Sequence, residues 1–168
     1  GPRSWCQDLL ARVEASGYHA VCLTVDVQTY SRRERDIELR FDPQSVHNLA
    51  PNDQPPEFAY QARLTWDDVA WLKSILSIPL GLKGILTPED AKLAVQAGVD
   101  IIWVSNHGGR QLDSTLATIA VLPEIIEAVD GKAQIIIDGG IRRGTDIIKA
   151  LALGADIVAL GRPMLWGL

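Results

Sequence analysis

Five short apolar runs, separated by helical patterns, constrain the fold of this chain more than any other feature. The runs cover residues 20–25, 79–85, 100–104, 134–137 and 156–160. Because they are almost fully apolar, they are typical of strands buried on both faces, as in a parallel sheet. A regular alternation of such strands with helices predicts an α/β fold in which helices cover a parallel sheet.

Capping residues predict where the intervening helices begin and end. Thr65 and Thr87 each precede acidic residues, and Pro88 suits the first turn of a helix. Glycines at three helix ends fit the left-handed conformation in which many helices terminate. The predicted helices cover residues 5–16, 65–77, 87–98, 117–129 and 145–154, the last opening at Thr145 or Asp146. Pro123 is expected to kink the fourth helix or to delay its start.

Each predicted strand ends in residues that can do chemistry. In strand order, these residues are Thr24 and Asp26, then Lys83, then Ser105 and His107, then Asp138, and finally Arg162. The carboxyl ends of parallel strands lie at one edge, and a (β/α)8 barrel has its active site there. A closed barrel has eight strands and about 250 residues, so the five strands of this 168-residue chain predict strands four to eight of a truncated barrel, without the final helix. An open parallel sheet is the competing architecture.

The segment 28–63 interrupts the alternation after the first strand. It is polar and contains four prolines, Pro43, Pro51, Pro55 and Pro56. We predict a long loop, and loops of this length are usually functional or mobile.

Composition excludes several classes of protein. The chain has a formal net charge of −5 and no basic cluster, which argues against a nucleic-acid surface. No apolar run approaches the roughly 20 residues that span a bilayer. Cys6 and Cys22, placed in a helix and a buried strand, are expected to be free thiols in a reducing compartment. No Cys and His cluster has metal-ligand spacing, so no metal site is expected.

The stretch 100–113 is the strongest candidate for a catalytic loop. It places His107 after an apolar strand, next to two glycines and Arg110. Imidazole has an unperturbed pKa near 6.5, so it can accept a proton near neutral pH. Asp26 can hold the far ring nitrogen, or it is an ordinary loop carboxylate. Arg33 and Arg110 are able to clamp one substrate carboxylate through paired hydrogen bonds.

Two further features indicate an anionic ligand. Lys83 lies in an apolar strand, where an ammonium needs an anion, either a ligand or a structural ion-pair partner. Glycine turns follow the last two strands, at residues 138–143 and 161–162, and bare backbone amides with arginines can bind phosphate. Barrels commonly have phosphate sites after strands seven and eight.

These segments resemble one known family. The stretch 100–113, together with residues 23–35, 82–84, 138–144 and 161–163, is similar to the FMN-dependent 2-hydroxy acid dehydrogenases and oxidases, the group of glycolate oxidase, lactate oxidase and mandelate dehydrogenase. The resemblance favours the barrel and implies that residues 1–168 are the carboxyl-terminal part of a single FMN-binding barrel domain. Part of that family's flavin site and its substrate-contacting tyrosines fall outside the resemblance, so activity is expected of the parent protein.

The resemblance also implies a role for each site residue. His107 is the base, Asp26 its partner, and Arg33 and Arg110 bind the substrate carboxylate. Lys83 faces flavin N1, while Thr24 and Ser105 contact the flavin ring or ribityl chain. The residues implied around the phosphate are Asp138, Gly139, Gly140, Ile141, Arg142, Gly161 and Arg162.

The activity implied by the resemblance is oxidation of an L-2-hydroxy acid to the 2-oxo acid with FMN as cofactor. The family also implies a homo-oligomer, a tetramer, in the cytoplasm or, in a eukaryote, the peroxisome. Another FMN or phosphate-binding barrel enzyme, which would share the glycine turns, and an inactive fragment of the family are the alternatives.

Overall fold

The computed structural model describes residues 3–28, 33–40 and 64–168. Helices and strands alternate along these residues. In chain order they are α1 (Arg3–Ala15), β1 (Val21–Thr24), α2 (Glu34–Glu38), α3 (Trp66–Ile75), β2 (Leu80–Ile85), α4 (Pro88–Gln96), β3 (Ile101–Val104), α5 (Thr118–Val129), β4 (Gln134–Ile137), α6 (Gly144–Leu153), β5 (Ile157–Val158) and α7 (Arg162–Leu165). Each predicted strand and each predicted helix is present.

The five strands form one parallel sheet in the order β1-β2-β3-β4-β5. Each strand therefore pairs with the next strand along the chain. A doubly wound open sheet reverses its strand order at a switch point, whereas neighbours in a (β/α)8 barrel follow one another as they do here. The topology supports the barrel interpretation over the open sheet.

The hydrophobic core lies between one face of the sheet and the helices. Leu82 on β2, Ile102 and Val104 on β3, and Ile137 on β4 are almost fully buried there. Side chains alternate across a strand, so the residues between them point to the opposite face. We call that opposite side, with Thr24, Lys83, Trp103 and Ile136 in register, the inner face.

Two helix starts confirm the predicted caps. The Asp68 carboxylate accepts the Thr65 N–H at 3.1 Å, and the Asp90 N–H donates to Thr87 Oγ1 at 3.2 Å. Each contact satisfies a backbone or side-chain group at the exposed first turn. Within the part of the chain that the structure describes, no helix combines the length and apolarity needed to cross a membrane.

Several predictions need correction. The segment 28–63 is not wholly a loop, because α2 lies within it; its prolines come after this helix, and residues 41–63 lie outside the described residues. A short helix, α7, follows the last strand, with Pro163 in its first turn. Cys22 was expected to be buried, but it is exposed, because it lies on the inner face in register with Gly81, which has no side chain to cover it.

Element boundaries differ from the predictions by one or a few residues. α5 begins at Thr118 and contains Pro123 in its interior, so the proline does not delay the start. α6 begins at Gly144, before the predicted Thr145. β5 is reduced to two residues, because only Ile157 and Val158 pair with β4.

The amino end of the sheet contains a repeated Gly-x-Asp pattern. Asp100 follows α4 and accepts the Leu80 N–H at 2.8 Å, while Asp156 follows α6 and accepts the Ile135 N–H at 2.7 Å. In return, the Asp100 N–H donates to the Leu80 carbonyl and the Asp156 N–H donates to the Ile135 carbonyl, both at 2.9 Å. These exchanged bonds extend the parallel pairing at the start of the strands.

Candidate active site

The loop after β3 has a backbone conformation that few sequences adopt. His107, Gly108 and Gly109 are all left-handed, with φ values of 57°, 65° and 73°. The Gly109 N–H donates to the Asn106 carbonyl at 2.9 Å and closes the turn. A non-glycine residue with positive φ is uncommon and concentrates at functional sites. We call residues 105–110 the β3 loop. Because of this turn, successive side chains of the loop point in different directions.

His107 contacts a carboxylate that follows β1. Its Nδ1 lies 3.0 Å from Asp26 Oδ1 and 3.2 Å from Oδ2. When Nδ1 donates to the carboxylate, Nε2 carries the lone pair that can accept a proton. Gly84 makes room for this pair, because a Cβ at that position would lie 2.6 Å from the Asp26 Cβ. The sequence-predicted neighbours His107 and Asp26 are therefore together in the structure.

Ser105 joins three parts of the site. Its fully buried hydroxyl accepts hydrogen bonds from Lys83 Nζ and from the His107 N–H, both at 3.1 Å, and donates to Asp138 Oδ1 at 2.6 Å. A hydroxyl has one donor and two acceptor positions, so all are used within the protein. The flavin contact predicted for Ser105 stays a prediction, and a hydrogen bond to a cofactor there requires one of these three to break.

Lys83 has a structural ion-pair partner, which was one of the two predicted possibilities. Its Nζ lies 3.6 Å from Asp138 Oδ2, and both side chains are mostly buried. Trp103 Nε1 donates to the same oxygen at 3.1 Å. Asp138 thus directs its carboxylate into this cluster, and its backbone carbonyl accepts the Thr118 hydroxyl at 2.6 Å. Nothing in the sequence distinguishes Trp103 from other apolar strand residues, so this contact was not predicted.

The two predicted clamp arginines contact each other at the end of the β3 loop. Arg33 Nη2 donates to the Arg110 carbonyl at 3.0 Å. Asp36 Oδ2 lies 3.9 Å from Arg33 Nη1 and 3.7 Å from Arg110 Nη2. Asp36 sits on α2 within a run of charged residues, and nothing in the sequence distinguishes it from its neighbours. The structure places it between both guanidinium groups.

The first glycine turn packs against the β3 loop. Gly139 and Gly140 have φ values of 92° and 79°, and a Cβ on Gly139 would lie 2.9 Å from Asn106 Oδ1. The predicted bare amides are only partly available, because the Arg142 and Arg143 N–H groups donate to Asp146 Oδ2 at 3.1 and 3.0 Å. These two bonds lower the pKa of Asp146.

The remaining predicted residues fall into three environments. Arg162 reaches from the second glycine turn to the β3 loop, where its Nη2 donates to the Gly108 carbonyl at 2.7 Å. Thr24 pairs in register with Lys83 on the inner face. Ile141 is buried, whereas Gly161 is exposed. Among residues 3–28, 33–40 and 64–168, no group of three or more His, Cys, Asp and Glu side chains could hold a metal ion.

Comparison with known proteins identifies relatives over the whole chain. The model of the FMN-dependent dehydrogenase family matches residues 1–168. L-lactate oxidase from Nostoc sp. is 50% identical and is aligned over 99% of this chain and 50% of that protein. 2-Hydroxyacid oxidase 1 from Mus musculus is 46% identical over the same shares. The crystal structure of mandelate oxidase matches with a TM-score of 0.81 and 42% identity, over 97% of this chain and 48% of that one.

The chain spans about half the length of these relatives. The match of five parallel strands and their helices to half of a TIM-barrel flavoenzyme confirms the predicted fold class, part of a (β/α)8 barrel. The family match covers every residue, and the sequence identity to two oxidases reaches 46% or more. On this evidence the chain belongs to the FMN-dependent dehydrogenase family.

Proposed function

We propose that this chain forms strands four to eight of the FMN-binding barrel domain of an enzyme that oxidises an L-2-hydroxy acid to the 2-oxo acid. One observation carries the proposal: residues of the β3 loop contact a side chain within or just after each of the other four strands. His107 contacts Asp26 after β1, and Ser105 contacts both Lys83 and Asp138. Gly108 contacts Arg162 after β5. A proton acceptor, cations and glycine turns are thereby collected at one rim.

The residues present fit FMN. A Cβ added to Gly140 or Gly161 would meet no heavy atom within 4 Å, so both turns border open space in which a phosphate can approach the backbone. Arg142 is exposed beside the first turn and offers a positive charge. Lys83 supplies a mostly buried ammonium on the inner face, suited to the negative charge of a reduced flavin. Bound FMN supplies the acceptor for the two electrons that leave the substrate.

The roles proposed for the protein side chains follow from their contacts. Arg33 and Arg110 bind the substrate carboxylate, since guanidinium groups form paired hydrogen bonds with carboxylates. His107 accepts a proton from the substrate at Nε2, because Nδ1 faces Asp26. Asp26 orients the imidazole and stabilises the imidazolium once it has formed. Thr24, Ser105, Asp138, Gly139, Ile141 and Arg162 complete the cofactor-binding set of this proposal.

The family relationship extends the proposal to assembly and location. We propose that the complete protein is a homo-oligomer in the cytoplasm, or in the peroxisome if the source is a eukaryote, as for the peroxisomal (S)-2-hydroxyacid oxidase GLO4 of Arabidopsis thaliana, which is 46% identical to this chain. Its substrate is a small 2-hydroxy acid, the class that the relatives' names describe.

Anaerobic flavin reduction tests the proposal directly. The complete protein containing this chain is purified with FMN and mixed without oxygen with L-lactate, glycolate or L-mandelate, and loss of flavin absorbance is followed. We expect at least one acid to reduce the flavin and its D-enantiomer, where one exists, to be inert. His107→Gln is expected to bind FMN normally and to slow reduction at least about 100-fold, within the range of general-base contributions.

His19→Gln is the matched control, because His19 is exposed in the turn between α1 and β1. It is expected to leave the rate unchanged. A protein that binds FMN and is reduced by no 2-hydroxy acid contradicts the proposed substrate class and favours another FMN-dependent barrel enzyme. Equal loss of rate in both histidine variants contradicts the role of His107.

A further inference from the structure

Trp103 occupies the centre of the inner face. It is a residue of β3, the middle strand, and pairs in register with Lys83 on β2 and Ile136 on β4. Its sequence neighbours Ile102 and Val104 are fully buried against the helices. Because side chains alternate across a strand, the indole points away from that core and towards the groups of the candidate active site.

The indole contacts both members of one ion pair. Its Nε1 donates to Asp138 Oδ2 at 3.1 Å, and the Lys83 ammonium lies 5.6 Å from the ring centroid. The N–H at the ring edge therefore donates to the carboxylate, while the ring face attracts the cation. The charged groups of Lys83 and Asp138 are 3.6 Å apart, beyond the 2.7–2.9 Å that a charge-assisted hydrogen bond usually has.

Other donors compete with Lys83 for the Asp138 carboxylate. Ser105 donates to Oδ1 at 2.6 Å, and Trp103 donates to Oδ2, so each carboxylate oxygen already has a donor. Among the residues that the structure describes, the hydrogen bond of Lys83 Nζ is to Ser105 Oγ. An ammonium has three donors, and those not used on Ser105 are left for another acceptor.

We propose that Trp103 is a positioning residue that keeps the Lys83 ammonium available to the flavin. The inference rests on the proposed function, since it concerns the cofactor of that reaction. Without the indole N–H, Asp138 Oδ2 lacks that donor, and the Lys83 ammonium, 3.6 Å from the same oxygen, can replace it. A direct Lys83 to Asp138 hydrogen bond would draw the ammonium towards the carboxylate and reduce the stabilisation of negative charge on the reduced flavin.

The test is the midpoint potential of bound FMN in the complete protein, measured anaerobically against a reference dye. Trp103→Phe keeps the aromatic ring and removes only the N–H donor. It is expected to weaken binding of reduced FMN relative to oxidised FMN about tenfold, which lowers the two-electron midpoint potential by about 30 mV. Trp71→Phe is the matched control, because Trp71 on α3 also contacts a cation, Arg3 at 4.9 Å, outside the site.

Asp138→Asn is a second variant, and it is expected to shift the midpoint potential in the opposite direction. The amide oxygen can still accept from Trp103, but the negative charge beside Lys83 is gone, so the midpoint potential is expected to rise. This variant decides the question if Trp103→Phe does not fold, as judged by circular dichroism. An unchanged or raised potential in folded Trp103→Phe, or an unchanged or lowered potential in Asp138→Asn, overturns the inference.

A second readout needs no flavin. The Nε1–H resonance of Trp103 in the flavin-free protein, assigned by its absence in Trp103→Phe, is expected to shift in Asp138→Asn, because the acceptor loses its charge. A wild-type protein that binds no FMN contradicts the proposed function, and this result is obtained before any variant is compared. A resonance that does not move in Asp138→Asn contradicts the contact itself.

Discussion

The two ends of the same sheet use aspartates in different ways. At the amino end, Asp100 and Asp156 accept backbone N–H groups of the neighbouring strand. At the carboxyl end, Asp26 contacts an imidazole, and Asp138 accepts from a hydroxyl and an indole. One residue type therefore accepts backbone N–H groups at one end and contacts side chains of the candidate active site at the other.

The electrostatics of Asp100 illustrate the structural role of aspartate at the amino end of the sheet, which we call the structural end. Burial raises the pKa of its carboxyl group, but hydrogen bonds from the Lys73 ammonium and the Leu80 N–H, together with the lysine charge, outweigh burial and lower the pKa overall. A carboxylate with a lowered pKa in the folded state stabilises the fold above its unfolded pKa, near 3.9, and loses that contribution as the pH falls through its folded pKa.

Asp26→Asn should show most clearly that aspartates at the two ends of the sheet have different roles. The amide is uncharged and cannot stabilise an imidazolium, and its NH2 group can donate to Nδ1 and so favour the wrong tautomer of His107. We expect the rate of flavin reduction in the complete protein to fall at least about 100-fold, with an unchanged unfolding midpoint. A large loss of stability with little loss of rate would mean that Asp26 mainly stabilises the fold, as Asp100 does.

Gly84→Ala should have an intermediate effect on both properties. Gly84 has a φ of 115°, and the added Cβ would lie 2.6 Å from the Asp26 Cβ. Backbone strain of this kind costs on the order of 1–3 kcal/mol, and displacement of Asp26 from His107 is expected to slow flavin reduction about tenfold, consistent with the sensitivity of catalysis to small misplacements.

Gly109→Ala is its control, because Gly109 also has positive φ but has open space where the Cβ would be. It should share the backbone strain without the contact with Asp26. Unfolding by denaturant and stopped-flow reduction measure the two effects separately. Equal rates in the two variants would show that the close approach of Gly84 to Asp26 has no catalytic consequence.

The sequence predicted the parts of the molecule that depend on local patterns. Apolar runs located the five strands to within a few residues, and Lys83 and His107 were recognised because they interrupt or follow such runs. Asp36 and Trp103 could not be singled out. Asp36 lies in a charge run whose helix, α2, was expected to be loop, and the contact of Trp103 with Asp138 depends on the register of β3 against β4.

Asp100→Ala tests the structural end. It removes the acceptor of the Leu80 N–H and the partner of Lys73. Because the Asp100 side chain is 38% exposed, solvent screening reduces the effect, and we expect a loss of about 1–2 kcal/mol in the free energy of unfolding at pH 7. The difference from wild type should shrink below about pH 4, where the carboxylate becomes protonated.

Flavin reduction by a 2-hydroxy acid should be unchanged in folded Asp100→Ala at pH 7. Denaturant titrations at pH 7 and pH 3 check the stability and its pH dependence. A rate that falls together with stability would show that the two ends of the sheet are coupled. A stability difference that grows at low pH would contradict the lowered pKa of Asp100.

Asp36→Asn is expected to have the smallest effect and asks how far the functional end extends. Asp36 lies between Arg33 and Arg110, and loss of its charge should let the two guanidinium groups separate. Exposed ion pairs contribute roughly 0.2–1 kcal/mol, so KM should rise by up to about fivefold with little change in kcat. Glu38→Gln, exposed on the same helix, is the control. A KM that falls instead would mean that Asp36 competes with the substrate carboxylate for Arg33 and Arg110 rather than holding the two arginines in position.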